Sequence, residues 1–176
     1  MADDSNEIIA WSDKLSCGIK IIDDQHKILV SLVNQMFNHV TGNAVQERDY
    51  FNKVIHELVD YVKKHFATEE RILLGTKFSG YADHKKEHEN FVYNIIKNVR
   101  DYEDGRRFSL STFTRFLRDW ILSHIALIDK QYFEYFKKMA ISNADVEKIS
   151  IDPQANLQHE KGLSTRNTST APGSAC

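Results

Sequence analysis

One stretch of the chain decides its fold: His65-Phe66-Ala67-Thr68-Glu69. It lies in a segment whose apolar residues recur with helical period, so the imidazole and the carboxylate, four residues apart, project from one helix face. That face is expected to look inward, yet no lysine or arginine shares the stripe to compensate a buried carboxylate. A metal cation is the simplest compensating charge, and its remaining ligands must come from elsewhere in the chain.

Segments with the same apolar period lie on both sides of this stretch. They predict helices at about 21–41, at about 45–74, from about Ser79, and from Ser109–Thr112 to about Met139. Four such segments with short connections predict an all-α fold, an antiparallel up-down-up-down four-helix bundle. We assign residues 1–20 to an extended N-terminal arm, 21–140 to the bundle, and 141–176 to a largely disordered C-terminal tail.

Three glycines follow the long helical segments. Gly42, Gly75 and Gly105 each occupy a place where a left-handed residue commonly ends a helix, so we predict that each closes one.

Composition narrows the class of protein. The 176 residues carry a formal net charge of −2, which gives no reason to expect a nucleic-acid or anionic-membrane partner. The N-terminus is acidic and lacks a signal-peptide pattern, and no apolar run approaches the ~20 residues of a membrane span. Cys17 and Cys176 form no metal-binding or redox spacing. We therefore expect a cytoplasmic protein, and a monomer.

The eight histidines fall into two groups by helical geometry. His39 and His56 lie on solvated flanks, and His159 lies in the predicted tail. The other five lie on inward stripes: His26, His65, His84, His88 and His124. Any one of them is more often a hydrogen-bonded core residue than a ligand. Five imidazoles and a carboxylate in one core are difficult to satisfy by hydrogen bonds alone, so we predict a metal centre.

Asp129 follows His124 by five residues, about 140° around an ideal helix. A joint role requires a distortion such as a π-turn, and a solvated Asp129 paired with Lys130 is the alternative. Glu70 falls off the inward stripe, so we expect it to be a solvated charge.

The order and spacing of these residues resemble the hemerythrin family, in particular its bacterial single-domain members, from about Trp11 to Tyr132. The matching pieces are Trp11…Gly18…Ile22-Asp23-Asp24-Gln25-His26, His65-Phe66-Ala67-Thr68-Glu69-Glu70, Gly80-Tyr81-Ala82-Asp83-His84…His88, and Leu117-Arg118-Asp119-Trp120…His124-Ile125…Asp129-Lys130.

This resemblance implies reversible O₂ binding at a non-haem di-iron centre. By the family pattern one iron is held by His84, His88 and His124, and the other by His26 and His65. Glu69 and Asp129 bridge the two irons together with a solvent-derived oxo or hydroxo group. The iron with two histidines is one ligand short, and O₂ is expected there.

Four residues around His124 are predicted to form a dry wall of the O₂ pocket: Trp120, Ile121, Leu122 and Ile125. Ordinary core packing is the alternative for each. No further inward acid or base is evident, so we expect an O₂ carrier, store or delivery protein with no catalytic residues. Delivery would require a recipient, such as an oxygenase. The alternatives are an O₂, redox or iron sensing module, and a di-iron oxidase, peroxidase or nitric-oxide-handling enzyme.

Overall fold

The computed structural model describes residues 7–104, 106 and 108–151, and all regular structure within them is helical. The all-α prediction is confirmed for these residues. The helices are α1 (Lys20–Asn38), α2 (Ala44–Gly75), α3 (Tyr81–Glu103), α4 (Leu110–Ser123), α5 (Lys130–Lys138) and α6 (Asn143–Ile151). A π-helical segment, His124–Asp129, joins α4 to α5 without a break. No helix among the described residues is long and apolar enough to cross a membrane.

Side chains in the turns define two of the helix starts. The Asn43 side chain accepts hydrogen bonds from the backbone N–H groups of Val45 and Gln46, and that of Ser109 accepts one from Thr112. These bonds satisfy donors that a helix start leaves without partners. Ser79, where the sequence predicts a helix start, lies one residue before the position that caps α3, which is Gly80 and has no side-chain hydrogen bond.

The glycines behave differently from one another. Gly42 has φ +76° in the turn between α1 and α2. Gly75 is the last residue of α2 and does not have a positive φ; Lys77, at φ 57°, does. A β-carbon on Gly75 would lie 2.4 Å from Cγ2 of Ile149 in α6, so close helix contact explains this glycine. Gly105 lies outside the described residues.

Helix α6 was not predicted. It lies in the expected disordered tail and packs against α2, with the side chain of Val146 fully buried. The Arg71 guanidinium donates to the carbonyl of Ser150 at 2.6 Å. The Asn143 side chain accepts from the N–H of Lys20 and donates to the carbonyl of Gly18, which ties the helix to the arm. Residues 152–176 of the predicted tail lie outside the described residues.

The core consists of two apolar clusters. The larger includes Leu29 and Val33 of α1 with Leu58 and Val62 of α2. The smaller comprises Cys17, Ile19, Ile22, Ile72, Leu73, Tyr132, Phe136 and Val146. In α1, in α2 and in the α4–α5 segment, residues of one cluster come before the predicted ligands along the chain and residues of the other cluster come after them. The candidate site is therefore a polar layer between two apolar ones.

Candidate metal centre

All seven predicted ligands are buried, and none is more than 3% exposed. They come from four helical segments: His26 from α1, His65 and Glu69 from α2, His84 and His88 from α3, and His124 and Asp129 from the ends of the π segment. His39 and His56 are exposed, as predicted. His159 lies outside the described residues.

Three histidines and Glu69 form one half of the layer. Nε2 of His88 lies 3.1 Å from Nε2 of His84 and 3.2 Å from Nε2 of His124. Oε2 of Glu69 lies 3.2 Å from Nε2 of His88 and 3.4 Å from Nε2 of His84. Two donor atoms bound at right angles, each about 2.1 Å from one cation, lie about 3 Å apart. The spacing of these four atoms therefore fits a single metal ion.

His26, His65 and Glu69 form the other half, with donor atoms within 4.8 Å of one another. Nε2 of His65 lies 3.8 Å from Oε2 of Glu69. The two oxygens of Asp129 divide between the halves: Oδ1 lies 3.1 Å from Nε2 of His124, and Oδ2 lies 3.4 Å from Nε2 of His26. Asp129 therefore faces the two halves with one oxygen each, whereas Glu69 faces both with the same oxygen, Oε2.

Hydrogen bonding leaves this layer unsatisfied. Both oxygens of Asp129, both ring nitrogens of His26 and Nδ1 of His84 are buried without a hydrogen-bond partner among the described residues. Oxygens of Asp129 lie 3.1–3.8 Å from Nε2 of His26, His84 and His124 but form no hydrogen bond with them. Buried polar atoms without partners are rare and costly, and a buried carboxylate most of all. Cations coordinated by these atoms would remove that cost, so the residues fit a metal centre.

Burial keeps most of these imidazoles neutral. It lowers the pKa of His65 to about 3 and that of His124 to about 2, and it also lowers the pKa of His26. A neutral imidazole is the form that binds metal. At His88 burial acts in the same direction, but hydrogen bonds to Glu69 and Glu70 prevail and raise its pKa.

The pKa values of the two buried carboxyls shift in opposite directions. Burial would raise the pKa of Glu69, but hydrogen bonds from His84 and His88 hold it well below its usual range. Burial and the charge of Glu69 raise the pKa of Asp129. The hydroxyl of Tyr132 also donates to Oε1 of Glu69, at 2.5 Å. A cation between the two carboxyls would allow both to ionise.

The π segment explains how Asp129 reaches the layer. A π-helix bonds residue i to residue i+5, so residues five apart come to one face, as His124 and Asp129 do. The distortion that a joint role requires is therefore present. Asp129 is fully buried while Lys130 is exposed, so the alternative of a solvated Asp129 paired with Lys130 is wrong.

Sequence reasoning missed two polar neighbours of the layer. Oε1 of Glu70 lies 3.1 Å from Nδ1 of His88, so its expected role as a solvated charge is wrong. Oε1 of Gln25 lies 3.1 Å from Nδ1 of His65. Each directly adjoins a predicted ligand in sequence, and that adjacency was the available signal. Helical periodicity does not identify either residue, because each lies beside the inward stripe of its own helix and contacts a histidine of the neighbouring helix.

The predicted pocket wall is apolar. Ile121 and Ile125 are buried, whereas Trp120 and Leu122 are half-buried. The Trp120 ring stacks on His124, with centroids 4.2 Å apart. Phe66, which was not predicted to have this role, stacks on His88 at 3.7 Å. Aromatic faces thus cover two imidazoles on the same side of the layer.

Comparison with known proteins points to one family. The Hemerythrin HHE cation binding domain matches residues 17–136. Bacteriohemerythrin of Stenotrophomonas maltophilia (strain R551-3) is 32% identical over 130 residues, which cover 74% of this chain and 82% of that protein. Myohemerythrin of Sipunculus nudus is 29% identical over 123 residues, 69% of this chain and 88% of that protein. A crystal structure of wild-type hemerythrin superposes with a TM-score of 0.64 at 31% identity, covering 72% of this chain and 96% of that one.

Proposed function

Because this chain belongs to the hemerythrin family, we propose that it binds O₂ reversibly at a non-haem di-iron centre and serves as an O₂ carrier, store or delivery protein. The observation that carries the proposal is the unsatisfied buried layer, in which five imidazoles converge on two carboxylates. The proposal includes an antiparallel four-helix arrangement, supported by ligands that converge from four helical segments.

We assign the ligands to two irons. His84, His88 and His124 hold one iron, His26 and His65 hold the other, and Glu69 and Asp129 bridge them. The short distances among the three-histidine atoms and Glu69 support the first group. The division of the Asp129 oxygens between His124 and His26 supports its bridging role.

Irons held by these residues would supply the electrons for reversible O₂ binding. The chain supplies their environment: five imidazoles and two carboxylates carry little negative charge, which favours holding O₂ over splitting it. The Tyr132 hydroxyl orients Glu69 through a buried hydrogen bond. Trp120, Ile121, Leu122 and Ile125 form the dry wall that excludes water and slows loss of the reduced state.

The test is anaerobic loading with Fe(II), followed by measurement of iron per chain and of the optical spectrum through cycles of air and deoxygenation. We expect two irons per chain and an absorption band that appears with O₂ and disappears on its removal. Irreversible bleaching, or turnover of a substrate, would instead favour an enzyme.

The ligand assignment has a matched control on α2. His65→Ala should abolish the binding of two irons per chain. His56→Ala, an exposed histidine on the same helix, should retain both. Two irons in the His65 variant would contradict the assignment.

A further inference from the structure

Two imidazoles of the layer have a side-chain acceptor at their outer nitrogen. Nδ1 of His65 faces the Gln25 amide, and Nδ1 of His88 faces the Glu70 carboxylate, each at 3.1 Å. Nδ1 of His26 and Nδ1 of His84 make no hydrogen bond within the described part of the chain. Among the described residues, each half of the layer thus has one imidazole with a side-chain acceptor at Nδ1, and one acceptor is neutral while the other is an anion.

The orientation of the Gln25 amide follows from its other partner. The Thr68 hydroxyl donates to the carbonyl of Lys64 at 2.9 Å, so that oxygen can only accept from Gln25. The Gln25 nitrogen donates to Thr68 at 3.3 Å, which turns the amide oxygen toward His65. Nδ1 of His65 must then carry the proton, and its Nε2 lone pair is left for the layer.

Glu70 fixes His88 in the same way, but with a charge. A carboxylate only accepts, so Nδ1 of His88 donates to Glu70. Its Nε2 lies 3.2 Å from Oε2 of Glu69, faces His84 and His124, and would give up its proton on binding a metal. The second oxygen of Glu70 lies 3.6 Å from Nζ of Lys85, a contact that is partly exposed to solvent. Solvent screens this contact, so Lys85 offsets only part of the negative charge on Glu70.

An anionic acceptor draws the Nδ1 proton more strongly than an amide does, and this makes the imidazole a stronger electron donor to a metal at Nε2. The stronger donor is His88, which lies with the three histidines. The weaker is His65, which lies on the side where a metal would have fewer protein ligands.

We propose that Gln25 and Glu70 are positioning residues of unequal charge, which hold His65 and His88 in one tautomer and make the two halves of the centre unequal in electron donation. This rests on the proposed di-iron function. Because Gln25 is neutral, His65 donates less electron density, and iron on the two-histidine side resists full oxidation. The Glu70 carboxylate makes His88 the stronger donor, and His88 lies on the three-histidine side.

Two near-isosteric swaps and one control test this proposal in the iron-loaded full chain. Gln25→Glu adds a charge at Nδ1 of His65, and Glu70→Gln removes one at Nδ1 of His88. Glu89→Gln removes an equal charge from an exposed residue that lines the same surface groove as Glu70 and His88. The readout is the ratio of oxidised to reduced iron at a fixed electrode potential.

We expect Gln25→Glu to shift this ratio about tenfold toward oxidised iron and Glu70→Gln to shift it about tenfold toward reduced iron. The size is taken by analogy from the roughly tenfold lower end of the effect of outer-shell residues on metal affinity or activity. Tenfold corresponds to about 59 mV for one electron. Glu89→Gln should shift it less than threefold. The proposal is overturned if both swaps stay within threefold of the wild type. It is also overturned if Glu89→Gln matches Glu70→Gln, because the lost negative charge, and not the hydrogen bond to His88, would then cause the shift.

¹⁵N NMR of the metal-free protein measures the tautomer of His65 and does not depend on iron loading. His65 should be protonated on Nδ1 alone, and Gln25→Met, which removes the acceptor but keeps the side-chain length, should populate both tautomers. A tautomer unchanged by Gln25→Met overturns the proposal even if a swap fails to load iron. Shifts as expected without reversible O₂ binding would refute the proposed function and leave this inference standing. Reversible O₂ binding with unchanged potentials would refute this inference alone.

Discussion

Gly75→Ala tests how α6 is attached to the bundle. Within a helix, alanine is more stable than glycine by about 0.5–1 kcal/mol, so the change would stabilise an isolated α2. In this fold the new methyl group would lie 2.4 Å from Cγ2 of Ile149, a stiff β-branched side chain. Overpacking of this kind costs about 1–3 kcal/mol. We therefore expect a net loss of about 1 kcal/mol in the free energy of unfolding.

The loss has an upper limit, because α6 can leave its site instead of accepting the contact. Its attachment rests on the buried Val146, at about 1.5–3 kcal/mol. It also rests on the hydrogen bonds from Arg71 to Ser150 and between Asn143 and the arm, at about 0.5–1.5 kcal/mol each. Urea unfolding of the metal-free protein measures the change, and a thermal melt should fall by about 2–4 °C per kcal/mol.

The sign should reverse when Ile149 is truncated. In an Ile149→Ala background, Gly75→Ala should stabilise the chain by up to about 1 kcal/mol, because the opposing methyl group is gone. A Gly75→Ala protein as stable as the wild type, or equal effects in both backgrounds, would refute the close-contact explanation of this glycine.

Three further predictions follow from buried groups and a cap. In a Cys176→Ser background the thiol of Cys17, buried and with its pKa raised by burial and by Asp23, should not react with a thiol reagent at pH 8 until the chain unfolds; rapid reaction of the folded protein would contradict its burial. Ile125→Thr at the pocket wall should hasten autoxidation severalfold in stopped-flow absorbance, whereas Leu127→Thr, at an exposed position of the same π segment, should leave the rate unchanged; equal rates in all three proteins would refute the wall. Asn43→Ala should cost about 1 kcal/mol in urea unfolding, and no change would mean that its two hydrogen bonds do not stabilise the start of α2.

Sequence periodicity predicted the long helices and the inward histidines well, because one physical constraint governs both. A helix that buries one stripe repeats its apolar residues every three or four positions, and an imidazole on that stripe must enter the core. The expected 45–74 helix is observed as Ala44–Gly75, within one residue at each end. His26, His65 and His124 interrupt apolar seams, and all three are buried.

Features that depend on contacts between helices were not predictable in this way. A straight helix places Asp129 away from His124, and only the π segment brings them together, so periodicity alone left the role of Asp129 open. Gln25 and Glu70 act across a helix interface, where the spacing within one helix carries no information. Helix α6 has nine residues, too few apolar positions for a period, and its order comes from Val146 entering a cluster formed by other elements.

Helix α6 also connects residues beyond the family match to the support of the candidate centre. The Hemerythrin HHE cation binding domain covers residues 17–136, and α6 begins at Asn143. Val146 belongs to the same buried cluster as Tyr132, whose hydroxyl holds the Glu69 carboxylate that we propose bridges two irons. Loss of α6 would open this cluster, so we expect it to loosen the packing around Tyr132, whose hydroxyl donates to Glu69. The attachment of α6 therefore bears on the geometry of the centre as well as on the stability of the chain.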